Sequence, residues 1–119
     1  MKLADTALEH VHRYGALVPP LWHYEQANVM AMAIRRGKLT EAELQTVNRL
    51  QQSLDIETDE FPLPASMPNV SSLARAHRLT VYDAAYLELA QRHGLLLATL
   101  DAELAAAALS LNLPLLQSD

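Results

Sequence analysis

The chain has 119 residues, half of them apolar, and a formal net charge of −5. This length allows one domain, residues 1–119, with its own core, and the acidic balance excludes a broad basic surface that captures nucleic acid by neutralising phosphates. Cysteine is absent, which excludes disulfides and thiolate metal sites. No apolar run approaches the ~20 residues of a membrane helix. We therefore expect a soluble cytoplasmic protein.

Hydrophobic periodicity predicts helices that alternate with short aliphatic strands. In chain order, the pattern predicts a helix over 3–14, a strand over 16–18, a helix from Pro20 to about Arg36, a helix after Thr40, at best an edge strand within 55–61, helices over 66–78 and 80–92, a strand over 95–98, a helix over 101–111 and a strand over 113–116.

Local signals support these boundaries. Gly15 and Gly37 are typical residues for ending the first two helices. Thr40 and Glu43 have the spacing of a capping box, which predicts the start of the third helix. Pro68 lies within the fourth predicted helix and is tolerated only in a first turn, so this helix should begin close to residue 66.

Continuous aliphatic strands that alternate with helices indicate an α/β fold with a short, mostly parallel sheet covered on both faces. In such sheets, ligands bind beyond the carboxyl ends of the strands. Asp101 follows the predicted strand 95–98 and would lie at this edge.

Asp83 and Asp101 each have both a functional and a structural interpretation. Asp83 follows Thr80 in the first turn of a helix, where the two residues could form a capping box. Asp101 lies between a strand and a helix and is equally suited to an N-cap. Either carboxylate could instead be a ligand for a cation.

Glu25 interrupts an apolar stripe between Leu21 and Val29, shortly after a strand-to-helix junction. We expect its carboxylate to face the core, where an unpaired charge is costly, unless something binds it. An arginine partner or the helix dipole could also account for it. Glu25, Asp83 and Asp101 are all expected near element ends on one side of the sheet, and clustered carboxylates suit Mg²⁺ or Mn²⁺.

Three segments together resemble the PIN domain, specifically the VapC-type toxins of bacterial toxin–antitoxin pairs. They are Val18–Met30, Leu79–Ala90 and Leu97–Leu104. Their order and context agree with the family, and the resemblance extends from about Ala4 to the C-terminus.

The resemblance implies a three-layer α/β/α PIN-like fold and a metal-dependent endoribonuclease that hydrolyses RNA phosphodiesters. Carried over by motif, Glu25, Asp83 and Asp101 would be the catalytic acids that hold Mg²⁺ or Mn²⁺, and Thr99 would be the hydroxyl residue beside them. The implied partners are an RNA substrate and a cognate antitoxin protein. The metal would activate a water molecule and neutralise charge in the transition state.

The chain departs from the family at its beginning. The family opens with a strand that ends in its first catalytic Asp, followed by a helix, before the segment that resembles Leu3–Tyr14. We expect that this opening is missing and that the chain is N-terminally shortened. Asp5 is a weaker substitute for the missing acid. The apolar residues around it share a helical face, which indicates a helix rather than a strand: Leu3, Ala4, Ala7, Leu8 and Val11. In addition, only Thr6–Tyr14 would remain for the crossover, which is short for a connection with its helix.

Loss of a central strand would leave unpaired strand edges, which invite pairing with another chain. We therefore expect a homodimer or a higher oligomer. The alternative to a ribonuclease is a catalytically incomplete PIN-like module that acts as an interaction or oligomerisation protein.

Overall fold

The computed structural model describes residues 2–117, which form an α/β fold of six helices and a small parallel sheet, compatible with a three-layer α/β/α arrangement. The elements are α1 (Leu3–Tyr14), β1 (Ala16–Val18), α2 (Leu21–Arg35), α3 (Glu41–Ser53), β2 (Ile56–Thr58), α4 (Leu63–His77), α5 (Val81–His93) and α6 (Ala102–Ser110). Within residues 2–117, no helix is long and apolar enough to cross a membrane.

The sheet consists of β1 and β2, which run parallel with Leu17 opposite Glu57. The strand predicted over 16–18 is confirmed, and the weak strand predicted within 55–61 forms as the partner of β1. The sequence pattern therefore predicted where both strands lie in the chain, although it could not predict that they pair with each other.

The strands predicted over 95–98 and 113–116 are wrong in extent, because each contributes only one residue to an isolated parallel bridge between Leu97 and Leu115. Two local constraints explain the shortening. The amide of Leu95 is already bonded to the carbonyl of Ala90 at 3.0 Å, at the end of α5. Pro114 has no amide hydrogen to donate to a ladder.

Helix ends follow the predicted chemistry in most places. The capping box at the start of α3 is present, with the Glu43 amide donating to the Thr40 hydroxyl at 3.1 Å and the Thr40 amide donating to Glu43 at 3.0 Å. The prediction for Pro68 is wrong, because α4 begins at Leu63 and Pro68 therefore lies inside the helix, beyond its first turn. The helix continues through Pro68 despite the loss of the one backbone hydrogen bond that proline removes.

The hydrophobic core lies among α4, α5 and α6. Its fully buried members include Leu87 and Val70, the largest side chains with almost no exposed surface. By contrast, none of the residues that the structure describes in α1, α2 and α3 is fully buried. The most buried part of the fold therefore lies in the C-terminal half of the chain.

A polar cluster fastens the segment after β2 to α5. The Arg92 guanidinium contacts the carboxylates of Asp59 at 2.5 Å and Glu88 at 2.7 Å, and it lies 4.5 Å from the centre of the Phe61 ring. Glu88 is only 4% exposed, so Arg92 neutralises a carboxylate that is almost completely buried. This cluster fixes the position of β2 relative to the helical core.

Lowering the pH should weaken this cluster, because it protonates the Asp59 carboxylate. Hydrogen bonds from Arg92 lower the pKa of the Asp59 carboxyl, although its partial burial opposes the effect. Because the folded-state pKa is depressed, the stabilisation is present above the ordinary pKa of about 4 and is lost as the pH falls through the folded-state value.

We expect Asp59→Asn to reduce the free energy of unfolding at about pH 7 and to flatten its decline toward about pH 3. Urea unfolding at both pH values measures this, with Asp5→Asn, a change of an exposed acid on α1, as the control. An Asp59→Asn variant with the same pH dependence as the parent would contradict the assignment.

Candidate active site

The Tyr86 hydroxyl binds one of the three predicted acids, and a second lies on the same helix. This hydroxyl donates a hydrogen bond to Oε1 of Glu25, which is 61 residues away in the chain. Asp83 lies one turn earlier on α5, and its negative charge acts on the same hydroxyl. The fold thus bonds Glu25 of α2 to a tyrosine that lies one turn after Asp83 on α5.

Tyr86 is the hydrogen-bond donor in this arrangement. Its burial, its hydrogen bond to Glu25 and the negative charges of Glu25 and Asp83 all raise the pKa of the phenol well above its usual value. The raised pKa favours the protonated phenol, which can donate to Glu25. It orients one oxygen of Glu25, which leaves the second carboxylate oxygen for a ligand.

The position of Glu25 differs from the sequence prediction. The carboxylate was expected to face the core, but Glu25 is exposed. The reason is that α2 lies on the surface, where none of its described residues is fully buried. The partner that holds Glu25 is a tyrosine hydroxyl rather than an arginine.

Asp83 forms half of the predicted capping box. Its amide donates to the Thr80 hydroxyl at 3.1 Å, which caps α5. Among residues 2–117, the hydrogen bonds of the structure include none to the Asp83 carboxylate. This half-buried carboxylate lies in the first turn of α5, where the helix dipole favours negative charge.

Asp101 has the structural role that its sequence context predicted. Its Oδ1 caps α6 by accepting hydrogen bonds from the amides of Glu103 at 2.8 Å and Leu104 at 3.0 Å. The Asp101 amide donates to the hydroxyl of Thr99 at 3.0 Å. Capping uses one carboxylate oxygen, so the roles of Asp101 and Thr99 in a metal site stay predictions.

The three acids do not form one ligand cluster in the structure. Within the part of the chain that the structure describes, no group of three or more His, Cys, Asp or Glu residues is placed to hold a metal ion. Glu25 and Asp83 share Tyr86, whereas the hydrogen bonds of Asp101 are local to its own turn. Asp5 lies in the first turn of α1, in agreement with the helical interpretation of that segment.

Sequence reasoning missed the residues that support the acids. The sequence patterns assign no role to Tyr86, although its position three residues after Asp83 places both on one helix face. His23 contacts the Thr58 hydroxyl at 2.7 Å and joins α2 to the end of β2. No sequence signal could have found this contact, because the residues are 35 positions apart.

Comparison with solved structures identifies a similar fold. The crystal structure of PAE2754 from Pyrobaculum aerophilum matches with a TM-score of 0.67 and 28% sequence identity, over 88% of this chain and 79% of that chain. No protein-family model matches the chain, and no curated protein matches it. The structural likeness supports the α/β fold described above.

Proposed function

We propose that this protein is a metal-dependent endoribonuclease of the toxin–antitoxin type that hydrolyses RNA phosphodiesters in the cytoplasm. Glu25 and Asp83 form the centre of the proposed site, and the resemblance to the PIN domain would add Asp101 and Thr99 to it. The observation that carries the proposal is the Tyr86–Glu25 hydrogen bond, which joins α2 to α5 beside Asp83. The resemblance of these segments to the PIN domain supplies the class of reaction.

A carboxylate pair of this kind suits Mg²⁺ or Mn²⁺. Mg²⁺ commonly uses one or two protein carboxylates and takes its remaining ligands from water and substrate phosphates. The free oxygen of Glu25 and the carboxylate of Asp83 provide this donor set. When bound, the ion would activate water and neutralise phosphate charge.

Exposed aromatic residues beside the acids support an RNA substrate. Tyr24 precedes Glu25 and is 79% exposed, and Tyr82 precedes Asp83 and is 66% exposed. Unstacked bases of single-stranded RNA stack on such side chains. Since the chain is acidic, a bound cation would be needed to offset repulsion between the phosphates and the site.

We also propose that the protein binds a cognate antitoxin and associates with further copies of itself.

The alternative function, an interaction or oligomerisation module, is favoured by two observations. The described residues contain no cluster of three potential ligands, while large apolar side chains such as Val29 and Leu50 are about half exposed on α2 and α3. A module of this kind would bind proteins without cleaving RNA.

Cleavage of a fluorescently labelled single-stranded RNA separates the two functions. The ribonuclease proposal predicts cleavage that requires Mg²⁺ or Mn²⁺, stops with EDTA and decreases in Asp101→Asn. Asparagine preserves the N-cap of α6, so this variant removes charge without removing the cap. Cleavage that continues in EDTA would contradict metal dependence.

Tyr86→Phe tests the support for Glu25. We expect the fold to be retained and the activity to fall about 10- to 100-fold, the usual cost of losing a partner that orients a metal ligand. The half-saturating Mn²⁺ concentration should rise, because Glu25 is no longer oriented.

The matched control is Tyr14→Phe, which alters an exposed tyrosine on α1, outside the proposed site. Equal metal dependence of the parent and Tyr86→Phe would show that the phenol does not position the ligand.

A further inference from the structure

Two side-chain hydrogen bonds hold the start of α2 against other parts of the fold. Nε2 of His23 lies 2.7 Å from Oγ1 of Thr58, the last residue of β2. Oε1 of Glu25 accepts a hydrogen bond from the Tyr86 hydroxyl of α5. Between residues 2 and 117, no other side-chain hydrogen bond joins α2 to another element. The two bonds therefore connect α2 to β2 and to α5.

Packing alone fixes α2 weakly. None of its described residues is fully buried, whereas α5 buries five of its residues. No side chain caps the first turn of α2, because the N-cap position is occupied by Pro20. A helix with few buried contacts draws little stability from packing, and such a segment opens more readily than the core. The two hydrogen bonds therefore have a large influence on where α2 lies.

The two bonds leave α2 from different faces. His23 and Glu25 are two residues apart, which separates their side chains by about 200° around the helix axis. A single bond would allow α2 to rotate about its own axis around one point of attachment. Two bonds on nearly opposite faces fix both the direction and the rotation of the first turn.

Thr58 is itself firmly held. It pairs with Val18 in the parallel sheet, and the amide of the next residue, Asp59, donates to the Val18 carbonyl at 2.8 Å. The Asp59 carboxylate contacts Arg92 of α5 at 2.5 Å. Because Tyr86 lies on the same helix as Arg92, both bonds of α2 end on parts of the fold that are fastened to each other.

We propose that Thr58 and His23 are positioning residues for Glu25. Their bond sets the rotation of α2, and this rotation presents the Glu25 carboxylate to the Tyr86 hydroxyl. The bond forms with either neutral tautomer of His23, because a hydroxyl group both donates and accepts. The consequence for metal binding rests on the proposed function, since a metal ligand that is not held in place binds its ion less tightly.

Thr58→Val removes the hydroxyl and keeps the shape and strand preference of the side chain. In metal-free protein, we expect hydrogen exchange at residues 25–28, the first amides that bond within α2, to accelerate roughly threefold or more, with less change in α5. Thr58→Ser keeps the hydroxyl and should exchange at the parental rate. The matched control is Thr46→Val, because the Thr46 hydroxyl bonds only within α3 among the described residues.

Cooperation between the two bonds is the sharper test, because independent contacts have additive effects on stability. The unfolding equilibrium constants of the parent, Thr58→Val, Tyr86→Phe and the double variant form a cycle. If the first bond maintains the second, Tyr86→Phe should have a smaller effect in the Thr58→Val background, by a factor of roughly three or more. His23→Phe removes the same bond at an exposed position and should give the same coupling, including where Thr58→Val fails to fold.

Titration of Mn²⁺, followed by the broadening of amide NMR signals, measures the metal site without RNA cleavage. The half-saturating Mn²⁺ concentration should rise about threefold or more in Thr58→Val, less than when the partner of a ligand is removed outright. Thr58→Ser should restore the parental value.

Additive effects of Thr58→Val and Tyr86→Phe, or unchanged exchange in α2, would overturn the inference whether or not the protein cleaves RNA. An unchanged half-saturating Mn²⁺ concentration in Thr58→Val would show that the bond does not position Glu25. Cooperative effects in a parent protein that binds no Mn²⁺ would support the positioning role and would contradict the proposed function instead.

Discussion

Asp83→Asn and Glu25→Gln are each expected to lower Mg²⁺-dependent RNA cleavage roughly 100-fold or more, since even the loss of a partner that supports a metal ligand costs 10- to 100-fold. Both substitutions keep the shape of the side chain and remove its charge. Neither removes the cap of α5, because Thr80 accepts from the Asp83 amide rather than from its carboxylate. The expected loss therefore reports the chemistry of the site.

The measurement is initial cleavage rate against metal concentration, with thermal unfolding of each variant as a check on the fold. Glu9→Gln is the matched control, because Glu9 is an exposed acid on α1. Activity that survives both Asp83→Asn and Glu25→Gln would eliminate the acid pair as the site of hydrolysis.

Arg92→Met should have the largest effect on stability. The substitution leaves the carboxylate of Glu88, whose side chain is 6% exposed, and that of Asp59, at 13%, without their cation. Breaking a buried ion pair by removing one partner costs about 3–5 kcal/mol of unfolding free energy. For a domain of this size, this corresponds to a fall of about 10 °C or more in Tm.

Urea and thermal unfolding measure this loss. Arg75→Met is the control, since Arg75 is exposed on α4 and bonds only to the Ser71 hydroxyl among the described side chains. Adding Glu88→Leu to Arg92→Met should recover part of the stability, because the stranded buried charge is removed. A loss of less than about 1 kcal/mol in Arg92→Met would show that the cluster behaves as an exposed salt bridge.

The helices were the most predictable part of the fold. Several begin at a local signal in the sequence, such as the Thr40 capping box of α3 and the Asp101 cap of α6. Strand length was less predictable, because it depends on what lies beside a strand. Leu97 forms a single bridge since the amide of Leu95 is used by a helix end and Pro114 cannot donate.

The sequence singled out the acids of the candidate site, whose role stays a prediction, but it could not predict their geometry. Periodicity singled out Glu25 as an unusual acid, yet it could not show that α2 lies at the surface or that Tyr86 would hold the carboxylate. That contact joins residues 61 positions apart, and its formation depends on the packing of two helices. Local sequence carries no information about such a distance.

The central claim is that Glu25 and Asp83 bind a divalent cation beside Tyr86. The most direct test is titration of Mn²⁺ into ¹⁵N-labelled protein, because the paramagnetic ion broadens the amide signals closest to it. We expect one saturable site, with broadening centred on residues 25, 83 and 86, that is lost in Asp83→Asn and kept in Glu9→Gln. Broadening centred elsewhere, or the same broadening in Asp83→Asn, would contradict it.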